Sequence, residues 1–356
     1  MTDERDPLRR ILKIVAPGTP LREGMESILR ARTGALIVIG DGQQVMKLVS
    51  GGFRIDSEMT PANLYELAKM DGALILTPDC RRILYANAML IPDSAVPSTE
   101  TGIRHRTAER FARQTGELVI CISQRRNIIS LYKGNQRYVL RDTSVILTKA
   151  NQAIQTLEKY KTVLDRSLMS LSALELDDLV TVQDVVTVVQ RAEMVLRIVS
   201  EIDQYIAELG TEGRLVSMQL DELVAGVTDE WTLILRDYLQ PGEGRTVESV
   251  SEQIHSWSSD ELIDAMTLMR LLGLGTTPAA LENSVTPRGY RMIRRIPRLP
   301  FPVIENMVEH FGSLQRALHA TTDELDEVEG IGEVRARAIQ DGFRRLREQI
   351  MLERTI

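Results

Sequence analysis

The chain has 356 residues, of which 43% are hydrophobic and 26% charged, and its formal net charge is −7 at pH 7. This is the composition of a soluble globular protein, long enough for two or three domains rather than one core. Cys80 and Cys121 are the only cysteines, and the four histidines show no ligand spacing, so a disulfide framework and a structural zinc site are both excluded.

Residues 1–6 are mostly charged and no apolar run follows them, so no secretory signal is expected, and the longest apolar runs are too short to span a bilayer. A cytoplasmic protein with reduced thiols and no membrane partner is expected. Residues 1–145 read as α/β. Short runs rich in β-branched residues predict strands at 35–39, 45–49, 73–77, 83–86, 118–122, 128–132 and 137–140. Helical patterns at 21–32, 61–70 and 104–115 interrupt them, the second opening on Thr60-Pro61. Gly134-Asn135 is a hairpin signal. A mixed sheet flanked by helices is the simplest packing for this order.

From about 146 to 286 the pattern turns helical and predicts an all-α spine. Val185, Val188, Val189, Ala192, Val195, Leu196, Val199 and Ile202 form one apolar stripe, with breaks at 210–213 and 240–244. Two further helices are expected at 247–257 and 259–271.

Residues 287–356 hold 12 arginines and no lysine against 11 acidic residues. Two helix–turn–helix units are expected, 303–311 with 313–320 and 323–328 with 334–349. Between the last two helices lies Gly330-Ile331-Gly332, a turn of the helix-hairpin-helix kind. Glycines there let backbone approach a phosphate, the next helix start offers N–H donors, and Ile331 pins the turn to the core. With Arg335 and Arg337 after it, and Arg291, Arg294, Arg295 and Arg298 before it, the turn predicts sequence-independent binding to nucleic-acid backbone.

The chemistry concentrates in the first segment. The run from Glu100 to Arg110 places Gly102, Ile103, Arg104, His105, Arg106 and Thr107 where a loop becomes a helix, a spot that favours anions. Two guanidinium groups suit polyphosphate better than a lone carboxylate. Upstream, Asp71-Gly72-Ala73 sets a carboxylate at the start of an apolar strand, as metal-assisted phosphoryl or nucleotidyl transfer requires. Taken alone, the arginines could be a solvated face and Asp71-Gly72 an ordinary turn. No Walker loop and no dinucleotide fingerprint occurs elsewhere.

Together, Asp71-Gly72-Ala73 and Arg104-His105-Arg106 resemble the paired motifs of the diadenylate cyclase family. The resemblance extends through 65–70, 147–160 and 326–332. It implies condensation of two ATP into cyclic di-AMP with release of two pyrophosphates, using Mg²⁺ or Mn²⁺. It also implies roles for Asp71 as base or metal ligand and for Arg104, His105 and Arg106 at the phosphates. Gly72, Ala73, Leu90, Gly102, Ile103, Thr107 and Ser123 fall where the family contacts nucleotide. Ile103 departs from a threonine found in several members, losing a hydroxyl contact. One ATP per subunit means that two subunits must face each other, and the family's octamer supplies that arrangement. Branched DNA and a checkpoint signal for DNA damage are the expected context. The alternative is a non-enzymatic DNA-junction scaffold with a vestigial nucleotide domain.

Overall fold

The computed structural model describes residues 7–242 and 244–353; the charged start from which no leader is expected lies outside them. Two compact units emerge. The first runs to Gln152 and takes in Asp203–Met218, and the second holds Ala153–Ile202 and the chain from Gln219 onward.

The first unit opens with helices α1 (Pro7–Ile14) and α2 (Pro20–Arg30). The Thr19 hydroxyl accepts from the Arg22 amide at 3.2 Å and Pro20 occupies the first helical position, so α2 starts where a proline costs nothing. Strand β1 (Ala35–Ile39) follows, then α3 (Gln43–Lys47), β2 (Val49–Ser50), β3 (Phe53–Glu58) and α4 (Pro61–Leu67). Next come β4 (Ala73–Leu76), β5 (Arg82–Leu90), α5 (Ile103–Thr115), β6 (Leu118–Ser123), β7 (Ile128–Lys133) and β8 (Gln136–Leu140).

These strands form one mixed sheet in the order β2-β5-β4-β1-β6-β7-β8, with β3 on β5. Only β1 and β4 run parallel; the other neighbours are antiparallel. Strand alternation builds a core on each face. Ile37, Leu74 and Ile120 point to the face covered by α2 and α4, while Val38, Ile75 and Val119 point to the face covered by α5.

Two strand expectations need correction. Residues 45–49 form the end of α3 and only the first residue of β2, because Gly42 caps a helical turn that buries Val45 beneath the α5-side core. A short apolar run fits either period, and packing chose the helix. Strand β3 was not expected, since Phe53, Arg54, Asp56 and Glu58 are exposed and carry no buried alternation.

The boundary expected near Val145 falls inside α6 (Thr143–Asp177), a continuous helix started by the Asp142 carboxylate, which accepts from the Ser144 amide at 2.8 Å. Helix α7 (Val182–Leu209) carries the expected stripe, and Val185, Val189, Val195 and Ile202 are fully buried. The break at Gly210–Gly213 is a 3₁₀ turn leading to α8 (Arg214–Leu223).

In the second unit, α9 (Val227–Tyr238), α10 (Val247–Ser256), α11 (Ser259–Ile263) and α12 (Ala265–Leu272) follow. The single helix expected at 259–271 is divided at Asp264, whose extended backbone ends α11 and whose side chain caps α12. Then come α13 (Tyr290–Arg294), α14 (Phe301–Phe311), α15 (Leu314–His319), α16 (Thr322–Asp326) and α17 (Glu333–Glu353), packed around Ile304, Met307, Leu325 and Ile339.

Candidate functional site

Sheet register decides which sequence motifs meet. Leu36 pairs with Ala73 in parallel, Ala35 with Ile122 and Ala73 with Ala88, both antiparallel. Gly34, Asp71, Leu90 and Ser123 therefore all end at one edge of the sheet. An alanine at Gly34 would put its Cβ 1.9 Å from Nη1 of Arg104 and 3.2 Å from the Ile122 carbonyl. The Arg104 guanidinium thus lies over the first residue before β1, at the edge that carries Asp71.

Asp71 is exposed. Gly72 takes φ +97°, and a Cβ there would lie 2.9 Å from the Ala88 carbonyl oxygen, so the glycine answers to β5 as well as to any ligand. Ala73 is buried in the sheet core, which leaves only its backbone to face a ligand. Leu90 closes β5 at 9% exposure, and the Ser123 hydroxyl accepts from the Arg126 amide at 3.3 Å.

Helix α5 has no side-chain cap. Gly102 occupies the cap position with φ −80°, leaving the first-turn amides open, and Ile103 is 83% exposed at the first helical position. The two arginines differ. Among the described residues no hydrogen bond or ion pair engages Arg104, whereas Arg106 donates to the Glu100 carbonyl at 3.3 Å and the Thr101 carbonyl at 3.2 Å. Thr107 is half-buried on the same turn. Further along α5, Arg110 donates to the Val96 carbonyl at 2.8 Å and Glu109 accepts from Ser98 and the Thr99 amide, so the helix itself braces the loop before it.

His105 is turned inward, 6% exposed, with Nδ1 2.9 Å from the Tyr132 hydroxyl. That hydroxyl donates to Glu100 at 2.8 Å, and Arg137 also reaches Glu100 at 2.8 Å. Burial lowers the His105 pKa, the nearby Glu100 charge opposing it while Arg126, Arg137 and Arg104 add to it. Sequence reasoning missed Gly34, Glu100, Tyr132 and Arg137. Glu100 stood in the quoted run without a role, and nothing local linked it to a tyrosine 32 residues away. Cys121 is buried and Cys80 half-buried; burial pushes their thiols up to about 12 and about 11, which disfavours the nucleophilic thiolate at both.

In the second unit Gly330 takes φ +86°, which only glycine adopts freely, and Ile331 is buried in the helical core. Among the described residues nothing lies within 4 Å of a Cβ built at Gly332, and its carbonyl accepts the first helical bond of α17, from the Ala336 amide at 2.9 Å. The Arg335 side chain donates to the Gly330 carbonyl and Arg337 pairs with Glu333, both at the surface. Arg294, Arg295 and Arg298 are exposed, but Arg291 is not. Its guanidinium is buried against Glu175, which removes it from any phosphate-facing set.

Among the described residues no helix is long and apolar enough to cross a membrane. Residues 22–137 match the family described as DisA bacterial checkpoint controller nucleotide-binding, and residues 140–281 match its linker region. The DNA integrity scanning protein DisA of Symbiobacterium thermophilum is 61% identical over 99% of this chain and 100% of its own length. Its namesake from Carboxydothermus hydrogenoformans is 59% identical over 98% and 99%, and that of Clostridium botulinum strain Loch Maree 56% over 99% and 100%. The chain belongs to the DisA family of DNA integrity scanning proteins and is a diadenylate cyclase.

Proposed function

We propose that the first unit joins two ATP molecules into cyclic di-AMP at the edge bearing Asp71 and Arg104, and that the C-terminal hairpin binds DNA backbone irrespective of sequence. The observation that carries the first part is the convergence of Asp71, Arg104 over Gly34, and the uncapped start of α5 on one edge of one sheet. In each half-reaction a 3′-oxygen bonds to the α-phosphorus of the other nucleotide, and pyrophosphate leaves with the electron pair of the broken P–O bond. Asp71 serves the 3′-hydroxyl, taking its proton directly or holding a divalent cation beside it. Arg104 and the open amides face the charge that grows on the α-phosphate and leaving group. Arg106 keeps the loop shaped while remaining exposed to phosphate.

Mg²⁺ or Mn²⁺ fits this donor set. Among the described residues no group of three or more His, Cys, Asp or Glu converges, so the chain offers one carboxylate and the nucleotide phosphates would complete the sphere, the usual manner for Mg²⁺. Such a cation would supply Lewis acidity at the reacting oxygens.

One site per chain makes a facing copy necessary. Met89 and Ile91, 65% and 53% exposed beside Leu90, together with Ile103, give that edge an apolar rim suited to a second subunit, in keeping with an octamer. The second unit supports DNA binding through Gly330, the pinned Ile331, the open Gly332 and exposed Arg335 and Arg337, a junction-bound form signalling DNA integrity to the cyclase.

The test is product analysis with ATP and Mn²⁺ or Mg²⁺. Asp71→Asn is expected to lower cyclic di-AMP formation at least ~10²-fold with an unchanged circular dichroism spectrum. Undiminished turnover in that variant would remove Asp71 from the reaction.

A further inference from the structure

We infer that Glu100 and Tyr132 are positioning residues that commit His105 to take up a proton at Nε2 when a polyphosphate docks at the start of α5, so that ATP binding is linked to proton uptake. The inference rests on the ATP site proposed above.

Donor bookkeeping fixes the ring. The Tyr132 hydroxyl has one hydrogen, and it goes to the Glu100 carboxylate, which can only accept. The same oxygen lies 2.9 Å from Nδ1 of His105, so Nδ1 must be the N–H that donates to it. In the neutral ring the lone pair then sits on Nε2. That atom is buried and has no hydrogen-bond partner among the described residues. An unsatisfied buried acceptor is destabilising, and a structure retains one where something else uses the atom.

What surrounds Nε2 says what that use is. His105 is the third residue of α5, at the positive end of the helix dipole and between Arg104 and Arg106. Gly102 has an ordinary φ, so the backbone does not require glycine. Among the described residues a Cβ there would meet only Cδ2 of His105, at 3.7 Å, the carbon bonded to Nε2. Glycine at the cap therefore keeps side chains off the edge of the ring that carries Nε2.

A phosphate arriving at this helix start brings acceptors only, and a lone pair on Nε2 would repel it. A proton on Nε2 reverses the sign and makes a charge-assisted hydrogen bond. The groups facing the ring decide whether the proton is tolerated. Arg104 on α5, Arg126 in the β6–β7 turn and Arg137 on β8 oppose it, and Glu100 in the preceding loop, relayed through Tyr132 on β7, favours it. Without ligand, burial and the arginines keep the ring neutral. The negative charge of a triphosphate tips the balance. The proton comes from bulk water, and Nδ1 keeps its bond to Tyr132 throughout.

The experiment is calorimetry with 3′-deoxy-ATP, which lacks the nucleophile, in buffers of different ionisation enthalpy near pH 7.5, on the full chain. The wild type is expected to take up roughly half to one proton more per nucleotide than His105→Gln, because a histidine is the side chain whose charge changes in this range. Tyr132→Phe, which keeps the ring but removes the hydroxyl, is expected to lose most of that difference while melting within a few degrees of the wild type. Equal uptake in the wild type and His105→Gln, or full uptake in Tyr132→Phe, overturns the inference while nucleotide binding itself leaves the site standing. Failure of the wild type to bind the nucleotide overturns the ATP site as well.

Discussion

Arg291 and Glu175 form an ion pair at 2.5 Å with side chains 2% and 0% exposed, joining α13 to α6 inside the second unit. Tyr238 donates to the same carboxylate at 2.6 Å, and Ser172 accepts from Arg291 at 3.0 Å. Arg291→Ala would remove the cation paired with the buried Glu175 carboxylate, which costs about 3–5 kcal/mol. Denaturant unfolding followed on the helical transition checks this, and a loss below about 1 kcal/mol would contradict a pair that closes this joint.

Asp237 beside them gives a pH prediction. Its Oδ1 accepts from the Gly289 and Tyr290 amides, both at 2.7 Å, and Oδ2 from Arg291 at 3.0 Å. Burial and the Glu175 charge nevertheless push its carboxyl up to about 7. A carboxyl near 3.9 in the unfolded chain then binds its proton more tightly when folded. Its contribution to stability therefore falls as pH rises from about 4 to about 7 and levels off above that. Asp237→Asn lacks this titration, so the stability gap between wild type and variant is expected to narrow from about pH 5 to about pH 7.5. Thermal melts across that range report the gap, and a widening gap would reverse the assignment.

Gly34 has room for no side chain because Arg104 fills the space. Its backbone is not in the left-handed region, so Gly34→Ala is expected to melt almost normally while displacing the guanidinium. A displacement of this size costs on the order of tenfold to hundredfold in cyclase rate. Added to Arg104→Ala, the same change should cause no further loss, since both act through one group. An additive loss in the double variant would mean that Gly34 acts by another route.

DNA affinity should fall linearly on a log–log plot against salt, and Arg335→Ala with Arg337→Ala should flatten that slope without altering sequence preference. Gly332→Glu should abolish binding by placing a carboxylate at the open start of α17. This is a cleaner test than deleting the chain from Pro287, which would also remove Arg291 and orphan Glu175 within the second unit. Retained binding in Gly332→Glu would move the DNA site elsewhere.

The sequence by itself determined the elements whose signals are local. Unbroken apolar runs at residues 35–39, 73–76 and 118–122 specified central strands, since each reports burial on both faces of a sheet. The Thr60-Pro61 start, the Gly134 hairpin and the Gly330 turn were equally legible, because caps and positive φ are set by one or two residues. The Asp71 turn and the Arg104 helix start were visible as motifs. Only the tertiary structure decided what these pieces do to one another. Residues 45–49 suit helix or strand, and the core above them chose the helix. Arg291 looks like its neighbours Arg294 and Arg295 in sequence, and a carboxylate 116 residues away turned it inward. The direction of His105 was settled by Tyr132 and Glu100, partners 27 residues along the chain and 32 residues apart. Periodicity reports which face of an element is apolar, but pairing of buried polar groups depends on which elements the fold brings together.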